Sequence, residues 1–241
     1  MAQKVLELNV DFKEQSKSGD NGSFSLQPLE RGYGTTIGNA MRRVLLTSIP
    51  GAAITHVKID GVQHEFSTID GVKEDVADII MNLKKVRFKL MDNAPDKVTL
   101  SIKGKKSFTG QDIQNASDQF EVLNPEEYIT EVNSKGKLDI ELRIGIGKGY
   151  VPSEANDMPN LPVGTLSIDS IFNPVTNVTF NVQPVPGAKD PIEILSLDVT
   201  TDGSITAKDA VSYSATYLRE HFKFIEAISN PSVLEISDGV S

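Results

Sequence analysis

The feature that most constrains the fold lies near the carboxy-terminal end, where one predicted helix carries apolar side chains on two sides. Residues 206–229, TAKDAVSYSATYLREHFKFIEAIS, have helical periodicity and are followed by Asn230-Pro231, which predicts the end of the helix. At about 100° per residue, one face holds Val211, Ala215, Leu218, Phe222 and Ile225, and the opposite face, about 200° to 260° away, holds Tyr213, Tyr217, Phe224 and Ile228. A helix that is apolar on two sides must be buried on two sides.

Two arrangements can bury the second face of this helix. The helix can be sandwiched inside a single chain, or its second face can pack against another copy of the chain. For a chain of 241 residues we expect the second arrangement, and a twofold dimer is the commonest form that it takes. The predicted dimer interface therefore consists of Tyr213, Tyr217, Phe224 and Ile228.

A shorter amphipathic helix is predicted near the amino-terminal end, capped by Thr35 or Thr36 and stopped by Pro50-Gly51. Its core-facing side holds Ile37, Ala40, Met41, Val44, Leu45 and Ile49. Leu46 falls near the opposite pole, with Asn39 and Arg43 on one side of it and Arg42 on the other. A lone exposed leucine is common, but an apolar anchor rimmed by arginine is also the composition favoured at the centres of protein interfaces. The pattern alone leaves both explanations open.

The glycines that lead into this helix resemble a phosphate-binding loop, but their spacing is wrong. A P-loop requires a lysine directly after its last glycine, and a dinucleotide fingerprint requires G-x-G-x-x-G. The stretch ERGYGTTIGNAMRR (30–43) has no lysine and has G-x-G-x-x-x-G spacing, while GIGKGY (145–150) follows a predicted strand and precedes no helix. We therefore expect no nucleotide at either place, and glycines that permit tight turns and close backbone approach.

The charge of the chain argues against a nucleic-acid-binding role. There are 33 acidic and 24 basic residues, a formal net charge of −9, no tryptophan and only 6% aromatic residues. Binding to phosphates needs clustered cations, and binding to single strands needs aromatic stacking platforms. The densest basic cluster, formed by Lys84, Lys85, Arg87 and Lys89, is more typical of a solvated face than of a nucleic-acid contact.

No catalytic, metal or cofactor site is predicted. The chain has no cysteine, its three histidines have no partner at ligand spacing, and it contains no G-x-S-x-G motif. No apolar run approaches the roughly 18 residues of a membrane span, and the amino-terminal end lacks the apolar core of a signal peptide. These features favour a cytoplasmic protein.

The remaining pattern is rich in strands. We predict a hairpin of strands at 5–12 and 23–29, a strand at 54–62 and a helix from Thr68 or Asp70 to about Lys85. Short strand-like segments then follow one another as far as 138–147. Two long alternating strands, at 175–185 and 192–203, precede the last helix.

The run from 26 to 86 closely resembles the amino-terminal domain of the alpha subunit of bacterial RNA polymerase. Its most specific part is LERGYGTTIGNAMRR, and the resemblance continues through GKGYVPSE (147–154), SIDSIFNPVTNVTFNV (167–182) and LDVTTDGSITAKDAV (197–211). Gln27 stands where glutamate is frequent and Met41 where leucine is usual. The match is weakest over residues 90–137.

The resemblance implies an α+β fold in two parts. Residues 1–51 and 172–235 would form a dimerisation domain, an antiparallel sheet with two helices, which is interrupted by a mixed, mainly β domain inserted at 52–171. Residues 236–241 would be a tail. We expect the separate carboxy-terminal domain that binds promoter DNA and activators in this family to be absent from the chain.

The resemblance also implies a function, which is that of a non-catalytic assembly platform. An alpha homodimer recruits the beta and beta-prime subunits of the nucleotidyltransferase, and this chain would carry no active site. Arg43 and Leu46 match positions important for binding beta, and with their neighbours Asn39 and Arg42 they form the predicted beta-binding set. Lys84 matches a position implicated in binding beta-prime.

Other partners follow from the same resemblance. Transcription regulators are a further class of expected partner, whereas neither direct DNA contact nor a membrane is expected for this chain. An oligomeric scaffold outside transcription is the alternative. It would keep the last helix, but it would have no reason to keep the arginine-rimmed leucine of the first one.

Overall fold

The computed structural model of the chain describes residues 9–14, 19–90, 96–104, 106–156, 161–188 and 191–228. Its contacts divide the chain into two compact units, one made of the residues up to Ile49 together with those from Val175 on, and the other of Pro50–Pro174. The predicted α+β class, with antiparallel sheets and few helices, is confirmed. The roles of the two units as dimerisation domain and inserted domain stay predictions. Residues 5–8 of the strand predicted at 5–12, and the predicted tail, lie outside the described residues.

The helices and strands follow one another in this order: β1 Asn9–Glu14, β2 Asn21–Glu30, α1 Tyr33–Thr47, β3 Pro50–Ile59, α2 Val76–Leu83, β4 Phe88–Leu90, β5 Asp96–Lys103, β6 Lys106–Thr109, α3 Gly110–Gln114, β7 Phe120–Val122, β8 Tyr128–Val132, β9 Lys137–Lys148, β10 Tyr150–Val151, β11 Thr165–Ser167, β12 Ser170–Ile171, β13 Val175–Pro184, β14 Ile192–Thr201 and α4 Ala207–Glu226. A short 3-10 helix occupies Ser153–Ala155.

The first unit is a four-stranded antiparallel sheet in the order β1, β2, β14, β13, with α1 and α4 packed against it. Its two helices also contact each other. The buried apolar cluster between sheet and helices consists of Met41, Leu45, Ile49, Val175, Val178, Leu197, Val199, Ala207 and Ala210. The predicted core-facing side of α1 is therefore confirmed, since Met41, Val44, Leu45 and Ile49 are buried and Ile37 and Ala40 are half-buried.

Helix α1 begins earlier than predicted and is not capped by Thr35 or Thr36. Its N-cap is Gly32, whose φ of 92° lies in the left-handed region that favours glycine. This backbone geometry turns the chain into the helix before the threonines are reached. The Thr36 hydroxyl donates to the Gly32 carbonyl at 3.1 Å, so it bonds back to the previous turn and leaves the first amides without a local cap.

The second unit is built on a six-stranded antiparallel sheet. The hydrogen-bonded order is β5, β9, β3, β4, β7, with β11 also pairing with β3, and two small two-stranded sheets, β6 with β8 and β10 with β12, complete it. Helix α2 packs near β8 and α3 near β7. The core is extensive, and its largest fully buried side chains include Phe88, Phe108, Phe120, Ile79 and Leu83.

Helix α2 is shorter than the predicted helix from Thr68 or Asp70. It begins after Asp75, whose side chain accepts from the Asp78 amide at 2.8 Å. The preceding residues form a loop instead, because Gly71 has a φ of 80° and Val72 forms an isolated bridge to Val132 of β8. Pairing with a strand thus overrides the helical periodicity of this segment.

Candidate protein-interaction surfaces

The amino-terminal end of α1 already holds an anion, and that anion belongs to the same chain. The Gly32 amide donates to Glu193 Oε1 at 3.0 Å, and the Gly34 amide donates to Glu193 Oε2 at 3.2 Å. Unpaired amides and the helix dipole make this end of a helix attractive to negative charge. The glycine loop therefore binds the carboxylate of a residue 161 and 159 positions further along the chain from these two glycines.

The close packing of Gly34 and Gly38 explains the spacing of the motif. A Cβ at Gly34 would lie 2.7 Å from Val182 Cγ1, and a Cβ at Gly38 would lie 2.6 Å from Phe180 Cδ2. Residues four apart share a helix face, so these glycines let α1 approach β13 more closely than any side chain would permit. The G-x-G-x-x-x-G pattern is thus a helix-packing pattern in this chain.

The two arginines of α1 differ in their surroundings. Arg42 Nε donates to the carbonyl of Val178 on β13 at 3.2 Å, which ties this side chain to its own sheet. Arg43 is exposed, and within the part of the chain that the structure describes its guanidinium has neither a hydrogen bond nor an ion pair. Asn39 is likewise exposed and has no side-chain partner among those residues. Arg43 and Asn39 are thus available to another molecule.

Leu46 differs from the expectation of a leucine exposed on the polar face. It is half-buried and packs against the core cluster of the first unit. The helical wheel placed it opposite a single buried face, but α1 contacts α4 as well as the sheet, so its buried arc is wider. Only part of Leu46 is left for a partner to cover.

Lys84, at the end of α2, forms an ion pair and is not a free cation. Its Nζ lies 3.1 Å from Asp169 Oδ2. The Ser153 amide donates to Asp169 Oδ1 at 2.9 Å, and the Tyr150 hydroxyl also hydrogen-bonds to this carboxylate. The Ser153 amide first, and then Lys84, lower the pKa of Asp169 below its usual value. Lys84 is thus presented in a fixed position beside an exposed tyrosine.

Helix α4 buries one broad stripe rather than two opposite faces. Ala207, Ala210 and Ser214 are fully buried, and Tyr213 and Leu218 flank them and pack against the core. Tyr213, predicted in the dimer interface, therefore contacts its own chain, and Tyr217 is half-buried and stacked on it with ring centroids 6.3 Å apart. Ala215, predicted on the first apolar face of this helix, is exposed.

The last two turns of α4 leave the core stripe uncovered. The exposed fractions of their apolar residues are 61% for Phe222, 64% for Phe224, 61% for Ile225 and 82% for Ile228. Phe222 and Ile225, predicted on the apolar face opposite Phe224 and Ile228, are exposed together with them. On the helical wheel these four residues span about 160° and continue the direction of the buried stripe. Contiguous exposed apolar surface of this kind marks a protein-interaction site.

No group of three or more histidine, aspartate or glutamate side chains among the described residues is placed to hold a metal ion. None of the described helices has the length and apolarity needed to cross a membrane.

The chain is similar to known subunits of RNA polymerases. Residues 57–173, which lie within the second unit, match the family model described as the RNA polymerase Rpb3/RpoA insert domain. The DNA-directed RNA polymerase subunit alpha of Chlorobaculum tepidum is 48% identical over 98% of this chain and 72% of its own length. The alpha subunit of Chloroherpeton thalassium is 47% identical over 97% of this chain and 71% of its own length. That of Salinibacter ruber is 47% identical over 93% of this chain and 69% of its own length.

The chain therefore belongs to the family of DNA-directed RNA polymerase alpha subunits. The resemblance stated from the sequence is confirmed, and the alternative of a scaffold outside transcription is not supported.

Two residues with structural roles at these surfaces escaped the sequence analysis. Glu193 lies in β14, where the alternation of apolar and polar residues gives no sign of a particular role for it. Asp169 lies 85 positions from Lys84 in the sequence. Periodicity and spacing describe near neighbours along the chain, so neither contact had a signal that could have revealed it.

Proposed function

We propose that this chain is a non-catalytic assembly platform of RNA polymerase, a homodimer that recruits the beta and beta-prime subunits. The nucleotidyl-transfer chemistry resides in those partners, and the complex works in the cytoplasm. The observation that carries the proposal is the contrast within α1, where Arg43 is exposed and unpaired among the described residues and Arg42 is tied to the Val178 carbonyl.

The proposed beta-binding surface consists of Asn39, Arg42, Arg43 and Leu46. A guanidinium offers five N–H donors in a planar fork, so an unpaired one on a rigid helix suits the carboxylates or carbonyls of a partner. Asn39 adds a second polar side chain that has no partner among the described residues, and the exposed part of Leu46 adds apolar contact. Apolar contact rimmed by arginine is favoured at interface centres.

The proposed dimer contact is the uncovered end of α4. Fully burying a large apolar side chain contributes about 1.5–3 kcal/mol, and four such residues lie together here. In a twofold arrangement each copy would cover the same patch of the other. Phe224 and Ile228 keep their predicted interface role in this proposal, and Phe222 and Ile225 join them.

The proposed beta-prime contact includes Lys84 together with its ion-pair partner Asp169. The pair offers one cationic and one anionic group in a fixed geometry, which supports a directional contact with a partner rather than a diffuse attraction. Lys84→Ala should weaken capture of beta-prime by the assembled alpha-beta complex. Lys85→Ala is the matched control, because the Lys85 ammonium donates to the Asn82 amide oxygen near the end of α2 and has no ion pair among the described residues. Normal capture by both variants would contradict this assignment.

The central experiment compares Arg43→Ala with Arg42→Ala. Both changes remove one exposed guanidinium from adjacent positions, so charge loss is matched. Arg43→Ala should remain a folded dimer by circular dichroism and size exclusion but lose most of its co-purification with beta, since truncating an interface charge costs about 2–5 kcal/mol. Arg42→Ala should be less stable than wild type, and it should co-purify with more beta than Arg43→Ala does. A folded Arg43→Ala dimer that captures beta normally would overturn the proposal.

A further inference from the structure

Glu193 of β14 holds the first turn of α1 through both of its carboxylate oxygens. We propose that Glu193 is a positioning residue for the beta-binding face of α1, because by fixing this helix to the sheet it sets the position in which Arg43 is presented. The inference rests on the function proposed above and assigns a role to a residue outside the proposed interface.

Three local features are built around the Glu193 carboxylate. Gly32 adopts a left-handed backbone that turns its amide toward Oε1. Gly34 has no Cβ, and one placed there would lie only 2.9 Å from Oε2. The register of β14 against β2 shifts between Glu193 and Leu195, and irregularities of this kind re-aim the side chains beside them. Strand, turn and helix are thus all adapted to one contact.

The way in which α1 is capped differs from that of the other long helices. Helix α2 is capped by Asp75 and α4 by Thr206, and each of these side chains accepts from an amide only three residues away. A local cap moves with its helix, so it terminates the helix without orienting it. Helix α1 has no side-chain cap of its own and no acidic residue in its first turn, and its acceptor comes from the sheet. A cap of that kind couples the orientation of the helix to the strand.

The cap and the Arg42 contact hold α1 at both ends. Glu193 binds the first turn, and Arg42 donates to Val178 near the last turn. From Gly34 to Arg43 the helix rises about 14 Å, so a small tilt at the amino-terminal end changes the direction of the Arg43 side chain. Binding groups need to be held within about 0.5 Å of their productive geometry by supporting contacts. Two contacts with different strands provide this for Arg43.

A double-mutant cycle tests the inference. The dissociation constant of the homodimer for purified beta is measured for wild type, Glu193→Gln, Arg43→Ala and the double variant, at a temperature where circular dichroism reports all four as folded. Glu193→Gln keeps the size of the side chain but removes its charge, and it should weaken beta binding about 5- to 30-fold. In the Arg43→Ala background the same change should have a clearly smaller effect, because the main contact that Glu193 positions is already absent. Glu30→Gln, which removes an exposed acid of the same unit, is the charge control and should bind normally.

Each outcome of the cycle decides the question. Equal losses in both backgrounds would assign Glu193 a general role in stability and overturn the inference, as would normal binding by Glu193→Gln. Normal binding by Arg43→Ala would instead refute the proposed beta surface and, with it, this inference. If Glu193→Gln unfolds below the assay temperature, Glu193→Asp, which keeps the charge on a shorter side chain, replaces it in the same cycle.

Discussion

Lys84 and Asp169, which lie 85 positions apart in the sequence, form a 3.1 Å ion pair in the second unit. The carboxylate also accepts from the Ser153 amide. Lys84 directly follows α2, and Asp169 lies between the short strands β11 and β12. The ion pair therefore links α2 to the segment before β12. Lys84, which the family resemblance implicates in binding beta-prime, thus also links two segments of its own chain.

The Asp169 network predicts a pH-dependent contribution to stability. The folded pKa of Asp169 is lowered, so the carboxylate stabilises the fold at pH values above its unfolded pKa of 3.8, and this contribution is lost as the pH falls through the lower folded value. Asp169→Asn should lower the urea midpoint at pH 7 but have a smaller effect near pH 3. Equal effects at the two pH values would show that the charge is not involved.

Gly38→Ala should destabilise the first unit. The new Cβ would lie 2.6 Å from Phe180 Cδ2, so either the ring or the helix must shift. Overpacking of this kind costs about 1–3 kcal/mol, and the free energy of unfolding is measured by urea titration. Thr35→Ala, an exposed change on the same helix, should stay within about 0.5 kcal/mol of wild type. A wild-type midpoint for Gly38→Ala would mean that α1 does not approach β13 this closely.

Phe224→Glu should split the proposed homodimer without unfolding the chain. Phe224 is 64% exposed in the single chain, so its change affects the fold little but places a charge in the proposed contact. Sedimentation at micromolar concentration measures the association. Thr216→Glu, an exposed change on the other side of α4, should remain a dimer, whereas Tyr213→Glu should lower the melting temperature, since Tyr213 packs on its own core. A dimeric Phe224→Glu would show that the patch faces something else.

No nucleotide should bind to residues 32–43. The amides of Gly32 and Gly34 already donate to Glu193, and the motif lacks the lysine that would reach the outer phosphates. Calorimetric titration with ATP or GTP should give no saturable heat. Stoichiometric micromolar binding that is lost in a Gly34→Val variant would contradict this expectation.

The amino-acid sequence was sufficient to predict the α+β class, the family and the core-facing side of α1. The apolar residues of α1 recur at helical spacing, so their burial followed from periodicity, and LERGYGTTIGNAMRR was specific enough to identify the family. The same reasoning failed where a distant strand competed with local preference. The helix predicted from Thr68 or Asp70 begins only after Asp75, because Val72 pairs with β8.

The contacts of the motif residues could not be predicted without the folded structure. Tyr213 and Phe224 were predicted to share an interface, but the core of the first unit ends between them. A helical wheel cannot show where along the helix the packing against the sheet ends. Arg42 and Arg43 are residues of the same type and adjacent in sequence. Among the described residues, the Arg42 side chain bonds to β13 and the Arg43 side chain does not. The glycines that suggested a phosphate site receive a carboxylate from β14 instead. Periodicity reports on neighbours within a few residues, whereas these assignments depend on contacts between segments that only folding brings together.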